Sequence, residues 1–174
     1  LSIYAAFLVT SCETQSDSTT NPFDSTYRAL PSEATILRGG TILTGTGARL
    51  EGADILMRDG IIIDIDKELD TTNIGVVDVH GKWITPGIID VHSHLGVYPS
   101  PGVRAHSDGN EATAPNTAEV WAEHSVWPQD PGFVAALAGG VTSLQVLPGS
   151  ANLFGGRGVT LKNVPGQSVM EMKL

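Results

Sequence analysis

Two histidines one residue apart, His92 and His94, follow an acid, Asp90, in the run Pro86-Gly87-Ile88-Ile89-Asp90-Val91-His92-Ser93-His94. Successive side chains of a strand point to opposite faces. Ile88, Asp90, His92 and His94 therefore share one face, and Ile89, Val91 and Ser93 share the other. Imidazoles two strand positions apart are separated by roughly 6.5–7 Å of rise. They can converge on one ion at about 2.0–2.1 Å from each ring nitrogen. The spacing predicts that His92 and His94 ligate a metal. The bland alternative is a strand end with two solvated histidines; the Pro-Gly turn, the apolar run and the in-phase acid weigh against it. Asp90 is expected to orient an imidazole or a neighbouring group rather than to ligate, as carboxylates behind metal ligands do. His80 stands beside a turn glycine and reads as structural, while His106 and His124 fall in a long irregular stretch with no ligand spacing.

The elements that position this pair follow from the flanking patterns. Thr35-Ile36-Leu37-Arg38 and Thr41-Ile42-Leu43-Thr44, split by Gly39-Gly40, read as two short strands or one bulged strand. Residues 53–58 and 61–65 flank Asp59-Gly60, a strong hairpin signal. Val76-Val77-Asp78-Val79 adds a further strand, and the hairpin spacing suggests a small sandwich-like sheet. Beyond His94, residues 96–126 form a long irregular stretch suited to a lid or substrate wall, with a short helix expected over 116–127. Asp130 as N-cap, Pro131 in the first turn and Gly139-Gly140 at the end bracket a helix. Val141 to Leu147 then reads as a buried strand ending at Pro148-Gly149.

Strand, connection, helix and strand make the β-α-β pattern of a parallel sheet, whose functional end is the C-terminal end of its strands. His92 and His94 lie at that end of the first strand, and residues 150–158 lie at that end of the second, so the two should face one pocket. Within the second loop, Asn152 and Arg157 are candidate substrate contacts, Arg157 through a substrate carboxylate.

A net charge of −9 argues against a nucleic-acid partner, which needs a basic footprint. The single cysteine, Cys12, excludes an internal disulfide. Residues 3–9 form an apolar run too short to span a bilayer. Val9-Thr10-Ser11-Cys12 is similar to the lipobox of bacterial lipoproteins, which implies that 1–12 is a truncated signal ending at a lipidated Cys12. Residues 13–33, rich in Ser, Thr, Asp and Pro, read as a flexible tether. The expected location is accordingly exported, in the periplasm or cell envelope, with a lipid anchor to the membrane.

Gly81-Lys82-Trp83-Ile84-Thr85-Pro86-Gly87, Ile89-Asp90-Val91-His92-Ser93-His94 and Ala138-Gly139-Gly140-Val141-Thr142-Ser143 resemble runs of the amidohydrolase superfamily. Leu147-Pro148-Gly149-Ser150-Ala151-Asn152 looks like its imidazolonepropionase-like and exported branch. The resemblance covers residues 35 to 174. It implies an α/β fold class in which 34–85 supply the N-terminal strands of a small β-sandwich and 86–174 the first strands and helix of a (β/α)8 TIM barrel. It also implies that His92 and His94 bind the more buried of one or two divalent metals, zinc foremost. The implied activity is hydrolysis of an amide or peptide-like C–N bond in a small-molecule substrate by metal-activated water. A cyclic amidohydrolase or a deaminase is the neighbouring alternative, and a noncatalytic surface lipoprotein the alternative of another class. The superfamily's later ligands and its late aspartate have no counterpart here, so the sequence is expected to be an inactive N-terminal piece with an incomplete barrel.

Overall fold

The computed structural model describes residues 23–106 and 109–174. Cys12, the apolar run before it and the first half of the expected tether lie outside the described residues. No helix among those described is long and apolar enough to cross a membrane.

The first sheet is built around a long bulged strand, β1 (Thr35–Leu43). It pairs antiparallel with β2 (Arg49–Arg58), which pairs antiparallel with β3 (Ile61–Asp66). Asp59 and Gly60 both have positive φ, 51° and 73°, the requirement of a type I′ hairpin turn. The rest of the sheet departs from a succession of hairpins. Both β4 (Gly75–Asp78) and β5 (Trp83–Ile84) pair with β1 in parallel. The reason lies in the connections. The 67–74 segment crosses back over the β1–β2 hairpin, and Asp54 holds it there by accepting from Leu69 N at 3.1 Å.

Asp54, 2% exposed, also accepts from Gly39 N at 2.9 Å and from the Arg38 guanidinium at 3.1 and 3.2 Å. The bulge at Gly39 is the other half of this knot. A Cβ there would lie 2.2 Å from His80 Nε2, so the glycine is what lets the imidazole pack on the strand. His80 Nδ1 meets Asp78 Oδ1 at 2.5 Å, consistent with a structural histidine.

The second sheet has the order β6-β7-β8: β6 (Ile88–Ser93) and β7 (Val141–Val146) are parallel, and β8 (Val159–Lys162) returns antiparallel to β7. The sequence reading contained no β8. The helix α1 (Pro131–Ala138) makes the crossover, with Asp130 as its cap and Pro131 at the first position. Its Phe133 packs with Val97, Val126, Leu144, Val146, Leu161 and Met172 in the main core.

The helix expected over 116–127 is absent; a single 3-10 turn, Ala122–His124, stands in its place. Asn116 Oδ1 accepts from Ala118 N at 3.2 Å, a cap-like contact, but no helix propagates from it. The backbone then pairs with the 154–157 loop, through Thr117 N to Phe154 O and Ala122 N to Arg157 O at 2.9 and 2.8 Å. Residues 23–33 carry no regular structure, as a tether would, yet they are fastened to the second sheet. Ser25 Oγ donates to Lys173 O at 2.5 Å, and Lys173 Nζ bridges Phe23 O at 2.9 Å and Glu123 Oε2 at 2.5 Å.

Two outcomes follow for stability. Burial draws the Asp54 carboxyl upward, but the bonds from Gly39, Arg38 and Leu69 outweigh it and hold the group below its ordinary value. A folded-state value below the unfolded one makes this stabilisation whole above about pH 4 and drains it as pH falls through the folded value. Acid unfolding followed by circular dichroism should therefore begin at higher pH when Arg38 is replaced by Met. Asp130→Ala, which strips three backbone donors of their acceptor, should lower the stability measured by urea unfolding by about 2–4 kcal/mol.

Candidate metal centre

Entry into β6 is a close approach of two strands. A Cβ on Gly87 would lie 2.1 Å from Thr142 Oγ1, so only glycine lets the chain pass β7 here. Ile89 and Asp90 then pair with Ser143 and Leu144, and Ser93 with Val146, which leaves one extra residue on β6 between Asp90 and Ser93. This irregularity breaks the simple alternation just where the histidines lie. Ser93 is buried, His94 is half-buried one residue past the strand end, and His92 is exposed.

The two rings nevertheless come together. Their centroids are 5.3 Å apart and their planes cross at 84°. His94 Nδ1 lies 2.8 Å from the carbonyl oxygen of Leu147, at the C-terminal end of β7. A carbonyl can only accept, so Nδ1 carries a proton, and in the neutral imidazole Nε2 keeps its lone pair. That is the tautomer of an imidazole ligating through Nε2, with its second nitrogen tied to a backbone carbonyl. Leu147 N in turn donates to Ser93 O at 2.9 Å, so Leu147 is tied to the end of β6 through both its amide and its carbonyl. Asp90 Oδ1 accepts from the His92 backbone N at 3.1 Å. The contact reaches the main chain of His92 and not an imidazole, so the carboxylate shapes the bulge that carries the ring.

The donor set fits a divalent metal at two positions. Both side chains are imidazoles, a ligand type zinc takes, and the His94 ring is oriented by its Nδ1 contact to Leu147 O. Among the described residues, no group of three or more His, Cys, Asp or Glu side chains forms a site for an ion. Two imidazoles would supply two of the four ligands that zinc takes.

The other candidates lie as follows. Asn152 Nδ2 donates to Ala114 O at 2.7 Å, and Arg157 Nε to Ala118 O at 3.3 Å. The Arg157 guanidinium stands over the Trp121 ring, 4.8 Å from its centroid. Both side chains thus join the loop after β7 to the 114–121 segment. His106 Nδ1 meets Pro101 O at 3.0 Å, and His124 packs edge-on against Phe23 at 4.5 Å.

Tyr98 is the residue that pattern reading missed. Its ring stands edge-on to His94, centroids 5.6 Å apart, and its hydroxyl lies where a Cβ on Gly149 would be, 2.2 Å away. The Leu147-Pro148-Gly149 turn was visible in the sequence, but nothing in one chain's pattern tells which aromatic the glycine admits.

No protein-family model matches the chain. An amidohydrolase, tasK, of Hapsidospora irregularis is 36% identical over 118 residues, 66% of this chain and 12% of the relative. A dihydroorotase of Caldanaerobacter subterraneus subsp. tengcongensis is 42% identical over 60 residues, 34% of this chain and 14% of the relative. The crystal structure of an amidohydrolase from Thermotoga maritima MSB8 superposes with a TM-score of 0.73 and 36% identity, covering 80% of this chain and 36% of that one. The chain thus spans 12% and 14% of the length of these two curated relatives.

The Leu147 contact makes a direct spectroscopic forecast. Nitrogen-15 NMR of the metal-free chain should find His94 as the Nδ1–H tautomer, and a dominant Nε2–H signal would contradict the geometry.

Proposed function

From a chain whose relatives are amidohydrolases and dihydroorotases, and whose fold matches that of a solved amidohydrolase, we propose that it carries the first metal ligands of a metal-dependent hydrolase acting on an amide or peptide-like C–N bond. The observation that carries the reading is the His94–Leu147 bond, which leaves Nε2 free beside the crossed ring of His92. In this reading β6, α1 and β7 are the opening strand, helix and strand of a (β/α)8 barrel. The first sheet belongs to a β-sandwich. A divalent metal, zinc foremost, supplies when bound the Lewis acidity that polarises a carbonyl and activates water near neutral pH.

The chain's own residues have separable tasks. His92 and His94 hold the ion. Asp90 fixes the backbone amide of His92, and Leu147 sets the His94 ring and its proton. Asn152 and Arg157 brace the loop over the site through Ala114 and Ala118, which is how they would shape the substrate wall. The dihydroorotases among the relatives favour a cyclic amide as a second substrate class. Export with a lipid anchor at Cys12 remains part of the proposal, supported by Val9-Thr10-Ser11-Cys12 and the polar stretch after it.

The test is metal retention and hydrolysis in the whole protein. His92→Ala/His94→Ala should lose the metal after dialysis and should lower kcat/KM at least 1,000-fold toward an amide substrate that the wild type cleaves. Either single variant should weaken metal affinity by 10-fold or more; such losses follow even from removing the groups behind a ligand, about 10–100-fold. Stoichiometric metal in the double variant would overturn the assignment.

A further inference from the structure

Next to the histidine pair lies a cavity of about 280 Å³ lined by Tyr98, Pro99, Gly102, Val103, Arg104 and His106. Tyr98 is the wall the two share, since the same ring stands edge-on to His94 at 5.6 Å. That wall is fixed from behind. A Cβ on Gly109 would fall 2.7 Å from the Tyr98 ring, and one on Gly149 would fall 2.2 Å from its hydroxyl. Gly149 N donates to Gly109 O at 2.7 Å, which closes the cradle. The volume is just under that of drug-sized pockets and suits a group the size of one amino acid.

The polar groups of the cavity have one consistent chemistry. Arg104 is the only cation among its lining residues, and none of the ion pairs among the described residues involves it. A guanidinium presents a planar fork that matches a carboxylate. His106 Nδ1 donates to Pro101 O at 3.0 Å, which fixes its ring against the cavity wall. Trp127 stands tilted beside the His106 ring at 5.8 Å. In a chain of net charge −9, an arginine without an ion-pair partner among the described residues, in a cavity beside the histidine pair, is a selective feature.

We propose that this cavity holds the carboxylate end of an acylated amino acid or short peptide, gripped by the Arg104 guanidinium, with the acyl C–N bond directed past Tyr98 toward His92 and His94. The inference rests on the hydrolase reading and narrows its substrate to acids. Arg104 is then a specificity residue, and the amide or ester of the same acid should be a poor ligand.

The probes are N-acetyl-L-alanine and N-acetyl-L-alaninamide, which differ in the carboxylate alone. Equilibrium titration of the full chain followed by tryptophan fluorescence, with Trp127 as the nearby reporter, should show the acid binding roughly ten- to hundredfold tighter, the worth of a charge-assisted hydrogen bond. Arg104→Gln should bring the two probes level, and Arg104→Lys should restore part of the difference. Because Arg104 is exposed, both variants should melt with the wild type. The preference should survive removal of metal by chelation. Equal binding of the two probes by the wild type, an undiminished preference in R104Q, or a preference that vanishes on chelation would each overturn the proposal. A wild-type protein that retains no metal would defeat the hydrolase reading instead, and the same titration would still report on Arg104.

Discussion

The second sheet and its site depend on one buried carboxylate. Asp130 is 1% exposed and accepts three backbone N–H bonds, from Gly96 and Gly132 at 2.9 Å and from Ser100 at 3.0 Å. An ionised group so placed is costly unless its lone pairs are filled. Here the donors come from the first turn of α1 and from the loop that leaves His94. The same side chain therefore starts the crossover helix and pins the chain two residues after His94. Replacing it by a neutral cap of the same reach would keep the helix start and slacken the loop. The sequence position alone suggested the first role, and only the fold displays the second.

The first sheet is tied by a different knot of the same kind. Asp54 gathers Arg38, Gly39 and Leu69, while Gly39 makes room for His80. Its apolar cluster is small, with Ile42, Ala53 and Ile55 fully buried, and Ile61, Ile62 and Ile63 of β3 more than half exposed. With so little area removed from water, satisfied polar contacts account for more of its specificity than packing does.

What the sequence displayed was local. The Asp59-Gly60 turn, the Asp130-Pro131 start of α1, the glycines that end it and the His-x-His pair all announce themselves within a few residues. What it hid was long-range. The parallel pairing of β4 and β5 with β1 depends on a connection held by Asp54. The strand β8 depends on pairing with β7, and residues 116–121 were diverted from helix by partners 154–157. Even the histidine geometry arose differently from the expected alternation. An extra residue between Asp90 and Ser93 perturbs the strand, and the rings meet where Asp90 holds the His92 backbone and Leu147 the His94 ring.

The last point has a thermodynamic consequence. The acceptor that fixes the His94 proton belongs to Leu147, 53 residues away in sequence, and reaches the ring only after α1 returns the chain to β7. In an unfolded chain either tautomer of His94 is accessible and the His92 ring has no fixed relation to it. The metal-ready state is thus a property of the closed β6-α1-β7 unit, not of the His-x-His triplet. An ion that binds this state more tightly than the open one must stabilise the crossover by mass action. Conversely, loosening the crossover at Asp130, well away from both imidazoles in the chain, would weaken the hold on an ion at the proposed site without touching either histidine. At the proposed site, ion affinity and the integrity of this one β-α-β unit would be two readings of the same equilibrium.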